Sequence, residues 1–384
     1  METKCIRLGD CILCNPRVKL TKGELYPVID IDKITVGRKY VSNKTFITFA
    51  GQSGCKFENG DTLMARITPC LENGKMAVAK IASKGLGSTE LFVFRSKDGV
   101  TDEEFVYYLL KQQYIRNLAA NSMTGASGRQ RADLKFIKRI KIQLPNLDVQ
   151  HCIASILSTY DSLIENNTKR IRLLEKMAEN LYKEWFVRFR FPGHENVEME
   201  NGLPKGWKRG SLSDVCEFKR GKNITSSEMQ EGNVPVISAG LEPSGYHSCS
   251  NVKGVNVTMS SSGANAGYIA IHYSDIWAAD CSYIEESTTG NIYYVYELLN
   301  NIRTVINNFQ RGAAQPHVYP KDVNRIKLIL PSKELMLKAN GRLEIMHKEI
   351  YNLQKQNSLL ARQRDLLLPR LMSGKLEVKE ELLE

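Results

Sequence analysis

Apolar residues recur every seven positions between residues 153 and 185. One seam position holds Leu157, Ile164, Ile171, Ala178 and Trp185, the other Ile153, Tyr160, Asn167, Leu174 and Leu181. A second stretch repeats the pattern, with Leu343, Ile350, Asn357, Arg364 and Leu371 against Ala339, Met346, Leu353, Leu360 and Leu367. Seams of this length predict two long helices that pair as a coiled coil; two amphipathic helices on separate cores are the alternative. Elsewhere the apolar runs are short. Residues 75–79, 91–94, 267–271 and 325–330 read as strands, with Gly, Ser and Asn between them. Residues 103–118 and 292–309 read as helices that precede a closing strand. The class is α+β.

The chain is duplicated. KFIKRIKIQLP (135–145) aligns without a gap to KDVNRIKLILP (321–331), and the same offset continues through Leu157/Leu343, Ile164/Ile350 and Leu181/Leu367. Near the start of each half, Leu8-Gly9-Asp10 resembles Leu212-Ser213-Asp214, and Pro27-Val28-Ile29 resembles Pro235-Val236-Ile237. A period this long marks a repeated domain and not a solenoid. The expected organisation is a globular domain over 1–145, a long helix over 146–190, a linker over 191–207, a second globular domain over 208–331, and a second helix and tail over 332–384. Halves related by a pseudo-twofold axis would set the helices antiparallel, each roughly 50–55 Å long at ~1.5 Å per residue. In the register that keeps both seams facing, Ile164 meets Leu360, Ile171 meets Leu353, Leu174 meets Ile350, Asn167 meets Asn357 and Tyr160 meets Arg364.

Charge sharpens this picture. The net charge is +11. Residues 1–145 hold 24 Lys/Arg against 14 Asp/Glu, whereas residues 195–331 hold 12 against 14. The basic first domain suits a polyanion, since each neutralised phosphate releases a counterion. No apolar run is long enough to span a bilayer, and METKCIRLGD lacks a signal region, so no membrane partner is expected. Nine scattered cysteines fit a reducing compartment, and a cytoplasmic location is expected.

Two motifs carry a family resemblance. LPNLDVQHCIASILSTYDSLIENNTKRIRLLEKMAENLYKEWFVRFRFPG (144–193), followed by Leu203-Pro204-Lys205-Gly206-Trp207, and RQRDLLLPRLMSGKLEV (362–378) resemble the two central repeat regions of type I restriction-modification specificity subunits. The resemblance covers essentially the whole chain. It implies two target-recognition domains, each reading half of a split site in double-stranded DNA. It also implies helices that space the domains and dock two modification (methyltransferase) subunits, with motor-nuclease restriction subunits joining for cleavage. No cofactor is expected on this chain; S-adenosylmethionine and ATP would sit on the partner subunits. The coil and docking residues are then Leu157, Tyr160, Ile164, Asn167, Ile171, Leu174, Leu181, Trp185, Leu343, Ile350, Leu353, Asn357, Leu360 and Leu367. The second helix departs from the first: it lacks Tyr-Lys-Glu-Trp-Phe and ends in Leu-Leu-Pro-Arg-Leu-Met. A coiled-coil adaptor that reads no DNA is the rival function.

Enzyme motifs are missing. Asn15-Pro16-Arg17-Val18 fails the Asn/Asp-Pro-Pro-aromatic pattern of an adenine methyltransferase, and no GxxxxGK[ST] loop occurs. Cys11-x-x-Cys14 stands alone without a second ligand pair, so no metal is expected. Base readout needs paired donors and acceptors on loops. In the first domain the candidates lie in 65–75 and 123–131 with Lys135. Arg66, Arg129 and Arg131 suit guanine or phosphate, Lys75 and Lys135 suit phosphate, and Ser127 and Gln130 lie among them. In the second domain the corresponding segments are 259–268 and 310–319. They hold Ser261, Asn265, Arg311, Gln315, His317 and Tyr319, with Lys321 just beyond. Asn265 and Gln315 carry the groups adenine requires.

Overall fold

Each seam becomes one long helix, Leu147–Tyr182 and Lys333–Met372. The first runs on into a wide π-turn, Lys183–Val187. The computed structural model describes residues 3–42, 45–126, 128–312 and 315–377. Its contacts divide the chain into two units. One gathers the residues up to Thr168 with those from Lys355 onward, and the other is Lys169–Gln354.

In the first unit a five-stranded sheet runs in the order Ile12–Cys14, Leu91–Ser96, Thr62–Ala65, Met76–Ala79, Tyr40–Val41. The runs TLMA and MAVA are buried at every position, as central strands covered on both faces must be. A four-stranded sheet, Phe46–Thr48, Leu25–Ile29, Lys84–Gly87 and Cys55–Glu58, lies in the same unit. Thr3–Arg7 pairs antiparallel with Lys141–Pro145. Helix Glu103–Lys111 starts on Asp102, whose carboxylate accepts from the Phe105 amide. The single helix expected over 103–118 is broken: Gln112 leaves helical geometry (φ −54°, ψ 131°), and Gln113–Asn121 follows as a separate helix.

The second unit repeats this plan. Its sheet order is Lys219–Arg220, Cys281–Glu285, Asn256–Ser260, Ile269–His272. Lys208–Ser211 pairs with Lys327–Leu330 as the closing ribbon. The two Pro-Val-Ile strands each form a parallel pair, Val28 with Leu86 and Val236 with Trp277. The two Leu-x-Asp turns are held alike: the Leu8 amide donates to the Ile140 carbonyl at 2.8 Å, and the Leu212 amide to the Ile326 carbonyl at 2.9 Å. The expected helix over 292–309 is also two, Ile292–Asn301 and Arg303–Asn307, parting at Ile302. The stretch 191–207 holds a small hairpin, Met199–Glu200 with Leu203–Pro204. Phe191 within it is buried in the unit's core and stacks on Trp207 at 5.7 Å.

Each unit builds its core partly from the long helices. Ile153, Ala154, Leu157, Leu368 and Leu371 pack into the first, and Ala178, Tyr182, Trp185, Ala339 and Leu343 into the second. Within each unit the two helices meet side chain to side chain. In the first unit the Asn167 amide donates to Gln356 Oε1 at 3.4 Å, and Arg364 forms an ion pair with Asp161. Both contacts lie within one residue of the expected antiparallel register, but neither is the expected pair. Asn357 Oδ1 is buried without a hydrogen-bond partner, and Arg364 takes the carboxylate beside Tyr160. A charge-assisted bond to a carboxylate outweighs a contact with a ring face. In the second unit Arg170 pairs with Glu349 at 2.7 Å, and the Arg342 guanidinium lies 5.2 Å from the Trp185 ring.

Candidate nucleic-acid interface

In the first unit Thr124 and Arg131 exchange backbone hydrogen bonds of 3.0 and 2.9 Å and close a loop between them. Gly125 and Gly128 turn it with φ of 122° and 78°, which a side chain would resist. The Thr68 amide donates to the Gln130 carbonyl at 3.0 Å and the Ala132 amide to the Arg66 carbonyl at 2.8 Å. The two segments expected to touch DNA therefore lie side by side, although some sixty residues separate them in the chain.

Their side chains are placed differently from one another. Arg131 grips Glu90 with two bonds, Nε to Oε2 at 2.8 Å and a terminal nitrogen to Oε1 at 2.6 Å. That guanidinium holds the Glu90 carboxyl below the usual carboxylate range. The Arg66 guanidinium lies 5.0 Å from the Phe92 ring, and its Nε is buried without a hydrogen-bond partner. The Lys75 ammonium donates to the Ile31 carbonyl at 3.1 Å, so it is already engaged within the fold. Arg129 and Lys135 are exposed and Gln130 is half-buried. Ser127 lies outside the described residues. Arg66, Phe92, Arg131, Lys135 and Lys138 line a common recess of about 630 Å³.

The second unit carries the counterpart. Arg311 and His317 exchange backbone bonds of 2.9 and 2.8 Å, and Gly312 turns the loop at φ 97°. The Val318 amide donates to the Ser261 carbonyl and the Gly263 amide to the Pro316 carbonyl, both at 3.0 Å. The Ser/Gly run is a tight turn that touches the second loop. Ser261 is buried, and Asn265 is half-buried in the single turn Gly263–Asn265. Gln315 is exposed. His317 stacks on Tyr319 at 6.2 Å, and the Lys321 ammonium lies 5.9 Å from the Tyr319 ring. Arg311 stands 2.9 Å from the Asp322 carboxylate.

The correspondence extends to residues that the sequence reading did not single out. Ile67 and Ser262, each two positions past a central strand, bridge to Arg131 and His317. Glu90 and Asp280, each directly before the next strand, hold this region: Glu90 grips Arg131, and Asp280 accepts from Ser262 Oγ at 2.5 Å. An acid at the same strand entry in both halves was the available signal.

The seam residues named for docking are turned inward. Leu157, Asn167, Trp185, Leu343, Ile350 and Leu353 are buried, and Tyr160, Ile164, Ile171, Leu174, Leu181, Asn357, Leu360 and Leu367 are half-buried. The exposed apolar side chains of the two helices are others, among them Leu163, Leu173, Met177, Ile345, Leu359 and Leu366. Leu157, Trp185 and Leu343 belong to the cores of their units. Burial pushes the Cys11 and Cys14 thiols up to about 12 and about 11. Among the described residues no group of three or more His, Cys, Asp or Glu could hold a metal, and no helix is long and apolar enough to cross a membrane.

Comparison with known proteins bears on both halves. The type I restriction modification DNA specificity domain matches residues 4–176 and again 204–357. The type I restriction enzyme MjaIX specificity subunit of Methanocaldococcus jannaschii is 27% identical over 313 residues, covering 74% of this chain and 71% of the relative. The MjaVIII specificity subunit of the same organism is 26% identical over 240 residues, covering 62% of this chain and 54% of the relative. The crystal structure of a type I restriction-modification S subunit from M. genitalium shares the fold, with a TM-score of 0.58 at 20% identity over 96% of both chains.

Proposed function

Because the chain belongs to the type I restriction-modification DNA specificity family, we propose that it is the non-catalytic subunit that reads a two-part site in double-stranded DNA for such a complex. The observation that carries this reading is the repeated loop pair. The same strand framework holds Arg131 and Gln130 beside Arg66 in one half, and His317 and Gln315 beside Ser261 in the other. A common scaffold with different side chains at its readout loops is what two readers of different sequences require.

In this reading Arg129 and Lys135 meet phosphates, while Arg66, Gln130 and Arg131 face base edges. In the other half Asn265, Gln315, His317, Tyr319 and Lys321 form the reading surface, with Arg311 at its margin. Lys75 supports the loop from within the fold, and Ser261 presents its backbone. The long helices set the spacer between the two half-sites. Their exposed apolar residues, Leu163, Leu173, Met177, Ile345, Leu359 and Leu366, dock two modification subunits. S-adenosylmethionine and ATP belong to the partner subunits, which include the motor-nuclease. The compartment is the cytoplasm, where the DNA is.

The test is a genome-wide map of methylated adenines in cells carrying the system with residues 1–145 exchanged for those of a related subunit. One half-site changes, while the other and the spacer stay. A swap that rewrites both half-sites, or leaves both unchanged, overturns the reading.

A further inference from the structure

Arginines on a DNA-facing loop can serve two purposes. A free guanidinium neutralises phosphate. One whose direction is fixed by a carboxylate presents a fork of known orientation at the cost of its net charge. Arg129 and Arg131, two positions apart, fall on opposite sides of that division. Arg129 is exposed and has no carboxylate partner among the described residues, whereas Arg131 is gripped by Glu90 through two bonds.

Glu90 is itself fixed. Its amide donates to Ser88 Oγ at 3.1 Å, and its carbonyl accepts from the Arg66 amide at 3.0 Å. It sits directly before the strand Leu91–Ser96, and the Arg131 it holds lines the recess shared with Arg66, Lys135 and Lys138. The Glu90 side chain is half as exposed as that of Arg131, 22% against 44%, so the guanidinium is the more accessible of the pair.

A guanidinium carries five N–H groups. The bonds to Glu90 use the Nε–H and one N–H of a terminal nitrogen. Three N–H groups remain, spread over both terminal nitrogens, and they point away from the carboxylate. Two parallel donors from the terminal nitrogens match the O6 and N7 acceptors of guanine in the major groove. A phosphate at the same place would be repelled by the Glu90 charge bonded to the guanidinium, whereas neutral acceptors would not.

Resting on the DNA-reading function above, we propose that Arg131 reads a guanine in the half-site of the first domain and that Glu90 is the positioning residue that makes it selective. Glu90 contributes direction and removes charge. Its loss should therefore weaken discrimination and strengthen indiscriminate binding together, a pairing that general damage to the fold does not produce.

The experiment uses the full chain with its modification subunits. It compares the wild type with Glu90→Gln, Glu90→Asp, Arg131→Lys and Arg129→Gln, reading the methylated motif in cells and the affinity for specific and scrambled duplexes across salt concentrations. Arg131→Lys should relax one G·C position of one half-site, with discrimination there falling roughly 5- to 150-fold, the range for a lost bidentate contact. Glu90→Gln should relax the same position and bind scrambled duplex more tightly, with a slope of log K against log salt steeper by up to ~0.9, one added charge. Glu90→Asp should recover part of the discrimination. Arg129→Gln should leave the motif intact and flatten the slope. A wild-type half-site without a G·C pair overturns the inference while leaving DNA reading in place. So does Glu90→Gln with unchanged motif and slope, or Arg131→Lys that weakens specific and scrambled duplexes equally. A wild-type complex that methylates without sequence preference would instead sink the reading beneath it.

Discussion

Asp161 and Arg364 form the most exposed test of the energetics, because almost nothing of either is open to water. Their side chains are 2% and 1% exposed. The Asp161 carboxylate also accepts from Tyr108 Oη at 2.5 Å. The guanidinium reaches the Gly37 carbonyl at 3.3 Å and Asp365 at 3.0 Å. One cluster thus ties the recognition domain, the first helix and the second helix within the first unit. Asp161→Ala removes the main counter-charge and leaves a buried guanidinium and a buried phenol short of partners. A broken buried pair costs about 3–5 kcal/mol. For a unit of this size each kcal/mol shifts the midpoint by roughly 2–4 °C, so the unit's melting transition should fall by roughly 6–20 °C. The double change Asp161→Leu with Arg364→Met removes both charges and should recover most of that loss, because well-packed apolar replacements of a buried pair are often neutral or better. Thermal and urea unfolding of the full chain, followed by circular dichroism, reads both. If Asp161→Ala melts within about 2 °C of the wild type, the pair is solvated and the argument from burial fails. A double variant no more stable than the single would show that the loss was not one of unpaired charge.

Acid should weaken the second unit through His272. Burial pushes this imidazole down to about 4, with its Nε2 2.9 Å from Thr258 Oγ1. The unfolded chain, with a pKa near 6.5, binds the proton first, so stability is full above about pH 6.5 and falls as pH drops toward 4, by about 3 kcal/mol at most. His272→Leu should flatten that acid limb, and an unchanged limb in the variant would refute the assignment. Salt dependence of binding should track the free cations of the first domain. Arg129→Gln with Lys135→Gln should reduce the slope of log K against log salt by ~1.8, and an unchanged slope would mean that neither meets phosphate. Four residues inserted into the helix Leu147–Tyr182 add ~6 Å; the methylated motif should change its spacer and keep both half-sites, whereas altered half-site bases would show that the helices do more than measure distance.

The long helices and the duplication were legible in the sequence because both are written in regular spacing. A seven-residue apolar repeat reports one buried stripe along a helix, wherever the rest of the chain goes. The paired turns Leu8-Gly9-Asp10 and Leu212-Ser213-Asp214 were legible for a similar reason: each buries a leucine at the start of a half and donates to the same closing segment. Partner choice was not legible. The register placed Arg364 over Tyr160, but Asp161, one position on, offers a carboxylate, and Tyr108 from the globular domain completes the cluster. In the second half the corresponding places hold Glu297 and His347, 3.2 Å apart, so the same joint is built from different chemistry. No local pattern announces such a swap. The candidate site divides in the same way. Residue type was enough to pick out Arg129 and Arg131 together, and composition could not separate them. Only the tertiary structure brings Glu90, forty-one residues away, into contact with one of them. Periodicity is a property of a segment and survives in the sequence alone, whereas the direction and net charge of a side chain depend on whichever distant residue the folded chain sets beside it.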